Sequence, residues 1–198
     1  MPTSKANSTY ANPHEGKPLV TKVIGAEELW SGRAFDFVRL RVRSPGGTER
    51  DRLIVRHPGA VVILPILETP TGPEIVYVRN ERHALGAWLD ELPAGGLDAG
   101  EDPEFAARRE LREETGFAAA TLIPLGRFHT TPGVTDELMY AYAATDLEEV
   151  GQDLDEHEIL TVHRAPVRAF FDRADSGSLT DAKTILALHL ARARGLLE

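Results

Sequence analysis

The chain of 198 residues is 42% hydrophobic, contains no cysteine and carries a formal charge of −9. It is long enough to bury a substantial core without staples, and a cysteine-free composition excludes a disulfide scaffold, a thiolate metal site and a cysteine nucleophile. The acidic balance argues against nucleic acid or an anionic membrane as main partner. No apolar run reaches the about 20 residues of a membrane span, and residues 1–17 lack a signal peptide's apolar core, so the chain reads as cytoplasmic.

Residues 1–17 are polar and rich in Ser, Asn and Pro, the composition of a flexible tail. Strand-like runs follow at 19–28, 34–43 and 49–55, the last two separated by Ser44-Pro45-Gly46-Gly47, a hairpin signal. A three-stranded meander has too little area to stand alone. Residues 18–57 are therefore expected to form an N-terminal β subdomain packed on the main domain or on a second subunit. The main domain, 58–198, has core strands expected at 61–67 and 75–78 and a helix at about 103–115. Further strands are expected at 122–128, 139–144 and 159–163, and closing helices at 165–175 and 182–194. This order implies an α+β fold in which strands and helices flank the helix at 103–115.

The helix at 103–115 carries the chemistry. Asp102 can cap it, Pro103 suits its first turn and Gly116 its end. At 3.6 residues per turn, Glu114 lies about 40° and Glu113 about 60° either side of Glu110, so three carboxylates share one arc. Like charges so placed repel, which calls for a cation among them, and a hard divalent ion such as Mg²⁺ takes oxygen ligands of this kind. Ala106 and Ala107, one turn earlier on the same side, leave space there, although alanine is also simply the best helix former. The plain alternative is a solvated Glu/Arg helix in which Arg109 and Glu113 make a surface pair of small value.

The spacing Gly95, Glu101, Arg109-Glu110, Leu111, Glu113-Glu114, Gly116 and Phe117 fills the fixed positions of the Nudix box, and the chain resembles a Nudix hydrolase. That resemblance implies a mixed sheet sandwiched between helices and, at the box, a loop-helix-loop in which Glu110 and Glu114 bind metal, Glu113 assists through metal or water, and Arg109 pairs with Glu101 to hold the loop on the helix. Outside the box, Glu91-Leu92-Pro93-Ala94-Gly95, the loop Thr131 to Glu137, His57-Pro58-Gly59-Ala60-Val61 and Asp181-Ala182-Lys183-Thr184 resemble segments of the ADP-ribose pyrophosphatase branch. Pro132 falls 132 − 117 = 15 residues past the box, where that branch carries proline.

The branch implies Mg²⁺, with Mn²⁺ as a possible substitute, held by the Ala94 carbonyl, Glu110, Glu114 and Glu158, with Glu156 as base. The stretch 152–158 equally reads as an exposed acidic loop. Arg56 and Arg82 are the candidates for the diphosphate, each alternatively a rim arginine in a salt bridge. Thr135 and Glu137 are further substrate candidates from the Thr131 to Glu137 loop. Trp30, with Phe35 and Phe37, could stack on the base at a homodimer interface or face the core. His83 and Asn80 depart from the branch's pattern. No histidine pair has zinc-ligand spacing, and neither a G-x-S-x-G elbow nor a P-loop is present. The expected substrate is a nucleoside diphosphate sugar, ADP-ribose before GDP-mannose or a dinucleoside polyphosphate; the rival class is a sensor of Nudix fold that binds without cleaving.

Overall fold

A computed structural model describes residues 20–154 and 159–197. Strands β1 (Lys22–Ser31), β2 (Asp36–Arg43) and β3 (Glu49–Arg56) form an antiparallel three-stranded sheet. The main sheet has seven strands along the path β10-β5-β4-β9-β8, with β6 on β5 and β7 on β4. Its members are β4 (Ala60–Leu67), β5 (Glu74–Arg82), β6 (Ala87–Glu91), β7 (Ala94–Gly96), β8 (Phe117–His129), β9 (Leu138–Glu149) and β10 (Leu160–Pro166). The helices are α1 (Pro103–Thr115), α2 (Val167–Asp175) and α3 (Ala182–Ala193).

Strand β4, AVVILPIL, is apolar without alternation because both of its faces are covered. Val62, Leu64 and Ile66 point toward α2 and α3, packing with Phe170, Phe171, Ala187 and Leu188. Val61 and Ile63 point the other way, onto Ala106, Ala107 and Leu111 of α1. Each such fully buried aliphatic contributes about 1.5–3 kcal/mol of transfer free energy. The result is helix, mixed sheet, helix, the only parallel pairing in the described sheet being β4 with β9. No described helix is long and apolar enough to cross a membrane.

One edge of β4 is divided between two partners. Strand β7 pairs with Ala60, Val61 and Val62, and β5 pairs with Ile66 and Leu67. In the gap, the Ile63 amide donates to the Pro93 carbonyl at 2.9 Å, and Pro65 has no N–H to offer. The sheet opens there, and the segment from Glu91 to Gly96 crosses the opening.

The N-terminal sheet hangs on the end of β3. The Val55 amide donates to the Val134 carbonyl (2.9 Å), the Asp136 amide donates to the Val55 carbonyl (3.3 Å), and Arg56 pairs with Asp136 at 2.7 Å. Every residue of β1 is exposed. Trp30, Phe35 and Phe37 cluster with ring centroids 5.5–6.0 Å apart, and Trp30 remains 52% exposed, so the core-facing reading of these aromatics is overturned.

Several boundaries differ from those expected. The first strand starts at Lys22 and runs on to Ser31, and the second helix starts at Val167 rather than 165. Ala165 precedes Pro166, whose ring drives its neighbour into extended backbone, so both belong to β10. Strands β6 and β7 went unpredicted because AWLDE and AGG carry no apolar alternation; pairing with β5 and β4 alone makes them strands.

Candidate active site

Helix α1 begins as its sequence dictates. The Asp102 carboxylate accepts from the amides of Glu104 (2.9 Å) and Phe105 (3.3 Å), with Pro103 next in line. It ends at Gly116, at φ +75°, whose amide returns to the Arg112 carbonyl at 2.9 Å. A side chain there would also press its Cβ to 2.9 Å from the Gln152 amide.

On this frame the acid cluster is gathered rather than scattered. Glu110 and Glu114 are 7% and 4% exposed. Glu114 Oε2 accepts from the Ala94 amide at 3.0 Å, and the Glu110 carboxylate lies so close to Gly95 that a Cβ there would fall 2.1 Å from Oε1. Both carboxylates thus abut two consecutive residues of β7. Glycine at 95 is required by that approach, not by its dihedral angles.

Arg109 is the cluster's cation. It grips Glu101 through Nε (3.0 Å) and Nη2 (2.9 Å), reaches Glu110 (2.7 Å) and Glu113 (3.1 Å) through Nη1, and donates to the Gly96 carbonyl at 3.1 Å. Glu101 also accepts from the Asp98 amide, closing the loop before the helix. Hydrogen bonding to Glu101 is the main reason the guanidinium is raised further above its usual pKa, against the opposing effect of burial, and the same bonds lower Glu101.

Strand β7 is the shared wall of three depressions. A cleft of about 480 Å³ is lined by His57, Arg82, Ala94, His129, Glu137 and Lys183, among others. A smaller one of about 250 Å³ brings Arg82 and Ala94 to Glu114. A third, about 350 Å³, holds Gly95, Gly96, Arg109, Glu110 and Glu113, with Arg33 and His57 on its rim. Arg82 is held by the carboxylate of Glu91, Nε to Oε1 at 2.7 Å and Nη2 to Oε2 at 2.5 Å.

Other sequence candidates lie elsewhere. Arg56 is bound to Asp136, and Trp30 sits on the outer sheet; neither they nor Thr135 line these three depressions. Thr135 works through its backbone bridge to Val55 and accepts from the Glu137 amide. Glu156 and Glu158 lie outside the described residues. The stretch leading to them is fastened to the end of α1: Gln152 donates to the Glu114 carbonyl (2.6 Å), and Arg112 pairs with Asp153 (3.1 Å). Sequence reasoning missed Glu91, Lys183, Asp181, His57 and His129 as members of the site. Glu91, His57, Asp181 and Lys183 each stand in a segment that resembles the ADP-ribose pyrophosphatase branch, which is the signal that could have found them; His129 gave none.

The donors at β7 and α1 are all oxygens, which fits a hard divalent cation. Among the described residues no three acidic or histidine side chains converge on one point, so a cation there would draw on main-chain carbonyl and water oxygens besides Glu110 and Glu114. Mg²⁺ sites commonly use just one or two carboxylates.

Comparison with known proteins agrees with this geometry. The NUDIX domain model matches residues 56–188. An ADP-ribose pyrophosphatase of Bacillus subtilis (strain 168) is 36% identical over 184 residues, 92% of this chain and 98% of that protein. One from Mycobacterium tuberculosis is 40% identical over 174 residues, 85% and 83% of the two chains. The methanol dehydrogenase activator of Bacillus methanolicus is 35% identical, covering 87% and 93%. A solved ADP compounds hydrolase shares the fold, with a TM-score of 0.74 at 23% identity over 88% of this chain and 94% of that one. With its box complete and its carboxylates gathered against β7, the chain belongs to the Nudix family and is a Nudix hydrolase.

Proposed function

We propose that the protein hydrolyses ADP-ribose to AMP and ribose 5-phosphate with Mg²⁺. Water adds across the P–O–P bridge: its oxygen bonds to one phosphorus, the bridging oxygen leaves with the other phosphate, and the water's proton passes to a carboxylate. The observation that carries the reading is the position of β7. Arg82 and Glu114 share a depression with Ala94, and Glu110 and Glu113 lie in the next one on Gly95 and Gly96, so a diphosphate lying across β7 would have a guanidinium and the carboxylates of α1 within reach. The relatives named ADP-ribose pyrophosphatase support the choice of substrate.

The Ala94 carbonyl, Glu110 and Glu114 would hold the cation, joined by Glu158. A divalent ion held there supplies charge neutralisation at the phosphoryl oxygens and makes water more acidic. Arg82 orients the diphosphate, and Glu137 faces the same cleft from the opposite rim. Glu113 sits behind the carboxylates on Arg109. Glu156 takes the proton; the loop before it is tied to α1 through Gln152 and Asp153. A binding-only sensor is disfavoured because every acid of the box is retained.

Residues 18–57 serve as the dimerisation subdomain preceding a hydrolase domain at 58–198. One face of the outer sheet exposes Trp30, Phe37 and Leu53, an apolar surface that a second copy of the chain would cover. Trp30 would then stack on the base of a substrate bound at the dimer interface, with Arg56 a second cation for the diphosphate and Thr135 a further substrate contact. Light scattering of the full chain should give twice the monomer mass. Initial rates on ADP-ribose, GDP-mannose, diadenosine polyphosphates and nucleoside triphosphates, with Mg²⁺ and with Mn²⁺, test the activity. ADP-ribose should give the highest kcat/KM, with AMP as product; a different preferred substrate overturns the assignment.

A further inference from the structure

Glu91 is a charged side chain with 1% exposure, and no step of the reaction above uses it. Its Oε2 accepts from two cations at 2.5 Å each, Arg82 Nη2 and Lys183 Nζ. Lys183 is itself confined, its Nζ 2.9 Å from Asp181 Oδ2 and its side chain 11% exposed. Asp181 caps α3 by accepting from the Thr184 amide at 3.1 Å, and Thr184 Oγ1 accepts from the Leu92 amide at 2.8 Å. The start of α3 is thereby clamped, through four side chains, to the residues that lead into β7.

Burying such a network is costly unless each charge keeps its partners, and replacing it by apolar residues often stabilises a fold. Stability alone is therefore a poor reason for two acids and two bases in this place. The geometry gives a better one. Among the described residues Arg82 spends Nε and one Nη2 hydrogen on Glu91, which leaves the Nη1 edge of its planar fork for another acceptor. A guanidinium gripped along one side can present the other in a single orientation only. Lys183 fixes the carboxylate that does the gripping, and both cations line the same cleft.

We infer that Glu91 and Lys183 are positioning residues for substrate binding: Glu91 aims the free edge of Arg82 at the diphosphate, and Lys183 locks Glu91. This rests on the assignment of a diphosphate substrate to the cleft. Lys183→Met should raise KM for ADP-ribose about tenfold while kcat stays within about threefold, since the interaction serves bound substrate and transition state alike. Lys183→Arg should recover most of the loss. The decisive measurement is the cycle with Arg82→Gln: in that background Lys183→Met should add less than twofold to KM, because the residue it acts through is gone. A wild-type KM in Lys183→Met, or an undiminished tenfold effect in the Arg82→Gln background, overturns the inference. If Lys183→Met unfolds, the near-isosteric Glu91→Gln carries the same cycle with the same criteria. Wild-type turnover is measured first, so that failure on ADP-ribose counts against the substrate assignment, while the cycle is scored on whichever diphosphate the wild type cleaves.

Discussion

Two ion clusters lie on the main sheet, and their balance of charge is opposite. Around α1, one arginine, Arg109, contacts three glutamates, and Glu114 stands beside them on the Ala94 amide. At the join of β5, β6 and α2, one aspartate serves two arginines: Asp90 accepts from Arg79 at 2.7 Å and from Arg173 at 2.7 Å. The second cluster closes on itself, its aspartate accepting a forked pair of bonds from Arg79 and a single bond from Arg173. The first gathers four carboxylates around one arginine, two of them at low exposure, an arrangement of oxygens that suits a divalent cation. The α1 carboxylates face the depressions on β7, whereas Asp90, Arg79 and Arg173 line none of them.

The largest expected effect breaks the first cluster only. Glu114→Gln keeps a carbonyl oxygen to accept from the Ala94 amide but removes the charge. It should lower kcat about 100-fold or more and leave the melting temperature unchanged, read by initial rates and calorimetry on the same preparation. Near-normal turnover with Mg²⁺ present would sink the role given to this side chain. Next in size is Gly95→Ala. The added Cβ meets the far end of a flexible side chain, so Glu110 swings aside and the backbone need not move. Stability should change little, and kcat should fall about tenfold, because a displacement near 1 Å is enough to spoil alignment. Unaltered kcat would show that the close approach of Gly95 and Glu110 has no part in catalysis.

How each cluster could be read from the sequence follows from where its members sit. Glu110, Glu113 and Glu114 are one helical arc, and helix periodicity together with Asp102, Pro103 and Gly116 places them before any fold is known. The apolar run of β4 likewise announces a strand covered on both faces. Arg79, Asp90 and Arg173 come from three elements, joined by the β5–β6 register and by the packing of α2 against the sheet, and no local pattern encodes either. The seating of Arg82 was hidden for the same reason: Lys183 is 92 residues from Glu91. The aromatics at 30, 35 and 37 misled in the other direction, since alternation in a strand shows that one face is apolar without saying what covers it.

Breaking the Asp90 cluster should touch stability alone. Asp90→Asn leaves Arg79 and Arg173 to repel each other across a neutral amide, and none of the three lines the depressions on β7. Because the arginines are 46% and 33% exposed, water screens much of that loss. A fall in melting temperature of about 3–6 °C is expected, with kcat and KM unchanged. A change in kcat of the size expected of the α1 variants would erase the distinction between the two clusters.

The smallest effect is the pH dependence of that difference, and its sign is fixed. Burial, the largest single influence on the Asp90 carboxyl, pushes its pKa up, but hydrogen bonds and charge from Arg79 and Arg173 together outweigh it and hold the group below its ordinary 3.8. A carboxylate depressed in the folded state adds stability that is fully present above its unfolded pKa and is lost as pH falls through the folded one. The wild type should therefore exceed Asp90→Asn by a constant margin from neutrality down to about pH 5, and the margin should shrink at more acidic pH, below the ordinary aspartate range. Urea unfolding of both proteins from pH 7 to pH 3 measures it. A margin that stays flat into acid would mean that Asp90 contributes through packing and hydrogen-bond geometry rather than through its charge, and the Asp90 cluster would then differ from the α1 cluster in more than the sign of its excess.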